Sequence, residues 1–367
     1  MTDIEEKLRR TLSLHLDPIE APRSLPSRVR ARARRGRAVL IGASVLVTTA
    51  AVTAAAMAIP SLGRDTRDQA PAGSPSPSAG EQGIPSPAPI TPRENGRIAY
   101  SLSTNSGVEL HTMRPDGSRD KVVPTPPGQP WLHAWSPDGS KLAASIFPTG
   151  GGERTIWVMN ADGSNAHQVA AAENVSVPSW SPDGTTIAYS ASTNGRTEIH
   201  LVGADGSEHR IIQSEEAEGT FAIFSAKPSP DGTEILFDRG TDSGFDIFVM
   251  KVDGSDVRRL TTIGTDYDPH WSPDGTKIAF TRQQGATSDI FVMNADGGDV
   301  RRLTDGGDKS TNLYPQWAPD GTKIAYVAGI TGGPGGLVVM NPDGSDPIEL
   351  VRRDVLGISW QPSGAAR

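Results

Sequence analysis

WSPDGTKIAF, residues 271–280, sets a Trp before a Ser-Pro-Asp-Gly turn and a short apolar run. Near-copies stand at 135 (WSPDGSKLAA), 180 (WSPDGTTIAY) and 317 (WAPDGTKIAY). Ser opens a type I turn, Pro pre-sets φ at its second position, Asp is third and Gly closes it. The stretch therefore reads as strand, turn, strand.

Trp135, Trp180, Pro228, Trp271, Trp317 and Trp360 follow one another at intervals of 45, 48, 43, 46 and 43 residues. Between them recurs a second turn, in MRPDGS at 113, MNADGS at 159 and MNPDGS at 340. A period in the forties built from strand-like segments indicates propeller blades. In the clearest copy the first strand ends at His270-Trp271, and Lys277–Phe280 is the second. Asp289–Met293 is the third, Asp296-Gly297 makes a hairpin, and Val300–Leu303 is the fourth. The second-strand element occurs six times, the first at 97 with no Trp strand before it. The last Trp, in VLGISWQPSG at 355–364, has no second strand after it. Joined, these halves complete one blade. The expectation is an all-β, six-bladed propeller of four-stranded antiparallel blades over 95–367, closed by the C-terminal strand, which hides sheet edges.

The pattern W-S-P-D-G-x-x-I-A-[FY]…D-I-[FY]-V-M-N-x-D-G…R-R-L-T resembles the TolB-type propeller, the WD-like Pro-Asp repeat family, across 95–367. The third copy departs with Pro228, and the last with Gln361-Pro362-Ser363-Gly364. The family's periplasmic namesake has a separate N-terminal domain. Here an apolar segment and a Pro-rich spacer stand in that place, so a Tol–Pal role is not carried over.

Residues 1–16 put Ile4, Leu8 and Leu12 on one helical face, and 23–37 hold seven Arg and no acid. Residues 38–59 are uncharged for 22 positions. As a helix they measure roughly 33 Å against a ~30 Å hydrocarbon core. The Arg cluster before them orients 1–37 as a cytoplasmic tail, with the propeller extracytoplasmic. A cleaved signal is the alternative, from Ala56-Met57-Ala58 and Arg34-Arg35. Residues 60–94 carry eight Pro among Ser, Gly and Ala and read as an extended spacer.

The chain has no Cys, which excludes disulfides, thiolate zinc sites, cysteine nucleophiles and a lipidated-Cys anchor. Net charge is −8, and 1–37 carry +5, leaving −13 on the rest, which argues against a nucleic-acid partner. Arg- and Ala-rich usage with eight Lys is that of a high-GC bacterium. The turn aspartates Asp138, Asp183, Asp231, Asp274 and Asp320 recur where turns need them, and none matches a calcium loop. The recurring Trp residues read as packing between blades. No H-E-x-x-H occurs, and neither a metal nor another cofactor is expected. His133 and His270 precede their Trp by two and one residues, so they are expected to point apart. No G-x-S-x-G elbow appears.

Binding residues are therefore sought at a channel mouth: Trp131, His133, Phe221, Tyr267, Asp268, His270 and Tyr314. The function expected is a membrane-anchored, non-catalytic scaffold for an envelope protein, peptide or glycan. Two alternatives stand beside it. One is a propeller lyase or hydrolase with its site at the channel mouth, and the other a transmembrane sensor signalling through 1–37.

Overall fold

The computed structural model describes residues 94–216, 223–241, 244–307, 310–330 and 335–363, all within one compact unit. The tail, apolar segment and spacer expected over 1–93, and Phe221, lie outside the described residues. The described residues form strands and turns only, with no helix long and apolar enough to cross a membrane.

The fifth repeat unit shows how the sequence makes its strands. Its inner strand is Asp266–Trp271, its second Lys277–Gln284, its third Thr287–Asn294 and its outer Arg301–Arg302. Neighbours pair antiparallel, as in Trp271↔Ile278, Ile278↔Met293 and Phe291↔Arg302. In the connecting turn, Asp274 accepts from Ser272 Oγ at 2.6 Å and from the Thr276 N–H at 3.0 Å. Ser272 Oγ in turn accepts the Lys277 N–H at 2.9 Å. Gly275 has φ +71°, a conformation that costs a side-chain-bearing residue about 1–2 kcal/mol. The same Asp bond to the N–H two residues on recurs at Asp138, Asp183, Asp231 and Asp320. The Pro-Asp repeat is thus a self-bonded turn.

Inner strand Val355–Ser363 pairs with Glu94–Thr104, in register Ile98↔Trp360 and Tyr100↔Ile358. The C-terminal strand therefore completes the N-terminal unit, as the sequence predicts. Expected as six separate sheets, the strands instead make five, of which four are single blades. One of the four has its inner strand in two pieces, Asn174–Val175 and Ser179–Trp180, around Pro178, which has no N–H to donate. The fifth sheet has eight strands and runs through the two units 266–302 and 310–351. The parallel pairing Ser288↔Thr311 joins them.

The core lies between units rather than within them. Six hydrophobic clusters each straddle two consecutive units. One joins Ile98, Tyr100 and Trp360 of the first unit to Ala325, Leu337 and Val339 of the last. Trp135, Trp180, Trp271, Trp317 and Trp360 of the inner strands, 6–8% exposed, each lie in such a seam. Trp180 donates through Nε1 to the Ala134 carbonyl at 3.2 Å, and Trp271 to the Lys227 carbonyl at 3.2 Å. Both acceptors belong to the preceding unit, which fits the packing role expected of these rings.

Candidate functional site

Inner strands carry the residues that face the middle of the propeller. The residue before each Trp or its equivalent is Ala134, Ser179, Lys227, His270, Gln316 or Ser359, one from each unit. With the Trp rings and the turn prolines they line a channel cavity of about 510 Å³.

His133 and His270 both line this cavity. Their ring contacts run to opposite neighbours, His133 to Ser359 of the preceding unit and His270 to Trp317 of the following one, as their opposite phases relative to the Trp predict. His133 is buried, with Nδ1 2.8 Å from Ser359 Oγ. Burial lowers its pKa to about 3, and the Lys227 charge adds to the fall. His270 Nδ1 accepts the Trp317 N–H at 3.4 Å. Enclosure, with help from Lys227, lowers its pKa to about 3. Both imidazoles are neutral at pH 7. Lys227 is itself lowered by enclosure to about 8, against an upward pull from Asp268 and Asp238.

Upstream along the same strands sits a second group. Asp266 is fully buried and takes both Nε and Nη2 of Arg282, at 2.7 and 2.8 Å. That pair fixes the strand just before Tyr267 and Asp268. Asp268 has φ +52° and Tyr314, at the matching place in the next unit, φ +56°. Each precedes a proline, and each falls inside a bulge. A tyrosine in this region is strained by about 1–3 kcal/mol, and such residues concentrate at binding sites.

Asp268 is pushed well above the usual carboxylate range by enclosure and by Asp238. Asp238 is also raised by burial, although Ser225 gives it its backbone N–H, at 3.1 Å, and its hydroxyl. Tyr267 is raised by burial, and its hydroxyl stands 3.2 Å from Ser288 Oγ. Tyr314 is raised by enclosure and by Asp268 and Tyr267. Asp238, Lys227, Asp268, Tyr267 and Tyr314 thus make one electrostatically linked cluster in adjacent units. Perturbed groups of this kind, gathered on a rigid wall, are what binding and proton-handling sites use.

Trp131 stacks on Phe147 at 5.4 Å and donates to Gln129 Oε1 at 3.3 Å, both in its own unit. It is not drawn into the acidic cluster by these contacts. Among the described residues no group of three His, Asp or Glu is set to hold a metal ion.

Lys227, Asp238 and Gln316 were not singled out from sequence, although the repeat marks two of them. Asp238 stands where other units have Ser101, Ser145, Ser190 and Thr281, all buried. Lys227 stands where three units have Ala134, Ser179 and Ser359.

The family model described as the TolB beta propeller domain matches residues 81–227 and 217–351. A stretch of 121 residues is 32% identical to the Tol-Pal system protein TolB of Anaeromyxobacter dehalogenans, covering 33% of this chain and 27% of that one. The chain thus spans about a quarter of the length of the curated relatives it matches. TolB from Acinetobacter baumannii superposes with a TM-score of 0.63 at 24% identity, over 73% of this chain and 67% of that one. The putative TolB from Agrobacterium tumefaciens gives 0.57 at 23%, over 69% and 88%. At these identities the structures speak for the fold alone.

Proposed function

The chain belongs to the TolB β-propeller family, and from that premise we propose that its propeller is a non-catalytic binding scaffold for a protein or peptide of the bacterial envelope. In this reading 95–367 form a ring of six units, 38–59 anchor it in the cytoplasmic membrane, and 60–94 hold it off the surface. The tail 1–37 is cytoplasmic and the propeller extracytoplasmic. The observation carrying the proposal is that Asp268 and Tyr314, upstream on adjacent inner strands, are both held at positive φ, with Tyr314 feeling Asp268 and Tyr267. Backbone strain at two neighbouring, half-buried polar residues fixes their side chains before a partner arrives, which lowers the entropic cost of binding. A protein named for the Tol–Pal system among the relatives adds weight to an envelope protein over a glycan.

The test is photo-crosslinking in cells from Tyr267 and Tyr314, followed by mass spectrometry. One dominant protein adduct is the expected result. Sugar adducts alone, or a specific hydrolase or lyase activity in the full chain, would overturn it. A propeller enzyme is the second reading, favoured by the raised carboxyls Asp238 and Asp268 beside Lys227. It requires turnover that Asp268→Asn abolishes.

A further inference from the structure

The cavity beneath the mouth has a chemical bias of its own. Read around the inner strands, its six positions are Ser359, Ala134, Ser179, Lys227, His270 and Gln316. Three consecutive units contribute small side chains and the other three contribute long polar ones. The channel is therefore roomy on one wall and armed with donors on the other.

The donors are open. The Lys227 ammonium has no hydrogen-bond or ion-pair partner among the described residues, and neither has the Gln316 side-chain amide. His270 uses Nδ1 to accept the Trp317 N–H, so its proton sits on Nε2, a donor on a ring that lines the channel. All three side chains are half-buried, so they keep a surface toward the cavity. No Asp or Glu lines the cavity. Trp180, Trp271, Trp317 and the turn prolines make the remaining wall apolar. Asp238 and Asp268 act on this ammonium electrostatically but neither bonds it, so an anion in the cavity can supply the charge-assisted bond it lacks.

We propose that Lys227, His270 and Gln316 form a carboxylate-binding site at the waist of the channel, for a carboxylate borne on an apolar body. Lys227 makes the ion pair, the His270 Nε2–H and Gln316 amide donate to the second oxygen, and Trp271 and Trp317 flank the body. The carboxylate belongs either to a free small acid or to the chain end of a partner polypeptide. A volume of about 510 Å³ accommodates either. This deepens the scaffold reading by naming the chemistry that the channel recognises beneath the mouth, and it rests on the channel being the working part.

The full chain is titrated calorimetrically with benzoate and benzamide, and with N-acetyl-Ala-Ala-Phe carrying a free or an amidated C-terminus. The expected result is that at least one acid binds about tenfold or more tighter than its amide, the scale of a charge-assisted bond. Benzoate binding points to a small acid, and binding of the peptide acid alone to a chain end. Lys227→Met is expected to weaken that acid by about tenfold, and Lys227→Arg to retain it within about threefold. Thermal midpoints of both variants register any loss of fold, and the Arg variant keeps the test decisive if the Met variant unfolds. The proposal is overturned if neither acid binds, if acid and amide bind alike, or if Lys227→Met leaves affinity within about twofold. A silent waist under a mouth that still captures a protein would sink this site and leave the scaffold reading standing. A waist that binds acid beneath a mouth that captures nothing would do the reverse.

Discussion

Replacing Arg282 by Met removes the only hydrogen-bonding cation within 4.0 Å of buried Asp266 among the described residues. Asp266 is 0% exposed and Arg282 16%, so water does little to screen the pair or to replace it. Breaking a buried pair by deleting one partner costs about 3–5 kcal/mol, because the remaining charge is stranded. The guanidinium also lies 4.6 Å from the Phe291 ring and 5.3 Å from Phe280. Met keeps much of that packing but not the cation–π attraction, worth about 0.5–2 kcal/mol. The expected loss is about 4–5 kcal/mol, read from urea midpoints, with a fall in Tm on the order of 8–10 °C for a domain of this size. The double variant Arg282→Met, Asp266→Val replaces both charges by apolar groups and should recover most of the loss, to within about 2 kcal/mol of wild type. Since Asp266 adjoins Tyr267, crosslinking from Tyr267 should fall in the single variant and return in the double. A single variant costing less than about 1 kcal/mol, or a double as unstable as the single, would refute the stranded-charge reasoning.

Three further outcomes are expected. Gly163→Ala drives a Cβ into the Pro124 carbonyl oxygen at φ +87°, and should cost about 3 kcal/mol in urea denaturation. Gly195→Ala, at φ +76° with nothing within 4 Å, should cost only about 1 kcal/mol. Trp271→Ala empties a seam between two units and should cost about 3–5 kcal/mol; a loss under about 1 kcal/mol would mean the ring is not packing the seam. His133 and His270, lowered to about 3 in the fold against about 6.5 unfolded, lend stability that is complete above pH 6.5 and lost as pH falls toward 3. Denaturation midpoints measured from pH 7 to 4 should fall accordingly, and His133→Asn should flatten the slope. Asp138, lowered to about 2 by its serine and backbone bonds against the opposing effect of burial, adds a second loss between about pH 4 and 2.

The strand–turn–strand unit, the second hairpin and the closing strand were legible because each is decided locally. Ser272, Asp274 and Gly275 satisfy their own turn, and no distant residue is needed to specify it. The merging of two units into one sheet was not legible, since it depends on a single pairing between Ser288 and Thr311 in different repeats. The opposite facing of His133 and His270 was legible by alternation from the Trp, but that both still line one cavity was not. The cavity takes consecutive inner-strand residues such as His133, Ala134 and Trp135, so alternation alone does not say which of them reach it. Tyr267, Asp268 and Tyr314 were legible as polar residues leading into inner strands. Their mutual influence with Asp238 was not, because Asp238 lies on a second strand inside what reads as an apolar run, EILFD.

The repeat itself explains why function hides in such places. A unit copied around a ring presents the same group at every blade, and a symmetric ring distinguishes no side for a ligand to choose. In the second-strand column, Ser145 donates to the Ser176 carbonyl at 2.7 Å and Ser190 to the Phe224 carbonyl at 2.8 Å, each reaching the next unit. Asp238, in the same column, instead takes the Ser225 hydroxyl and sets a carboxylate within electrostatic reach of Lys227. A buried acid is a costly replacement for a hydroxyl that already had an acceptor, so stability alone gives no reason for it. Lys227 and Asp238 belong to one unit and Asp268 to the next, and the strained Tyr314 follows in the third. Departures from the repeat that fall together on one arc, and that each cost stability, break the symmetry of the ring where a partner would need it broken.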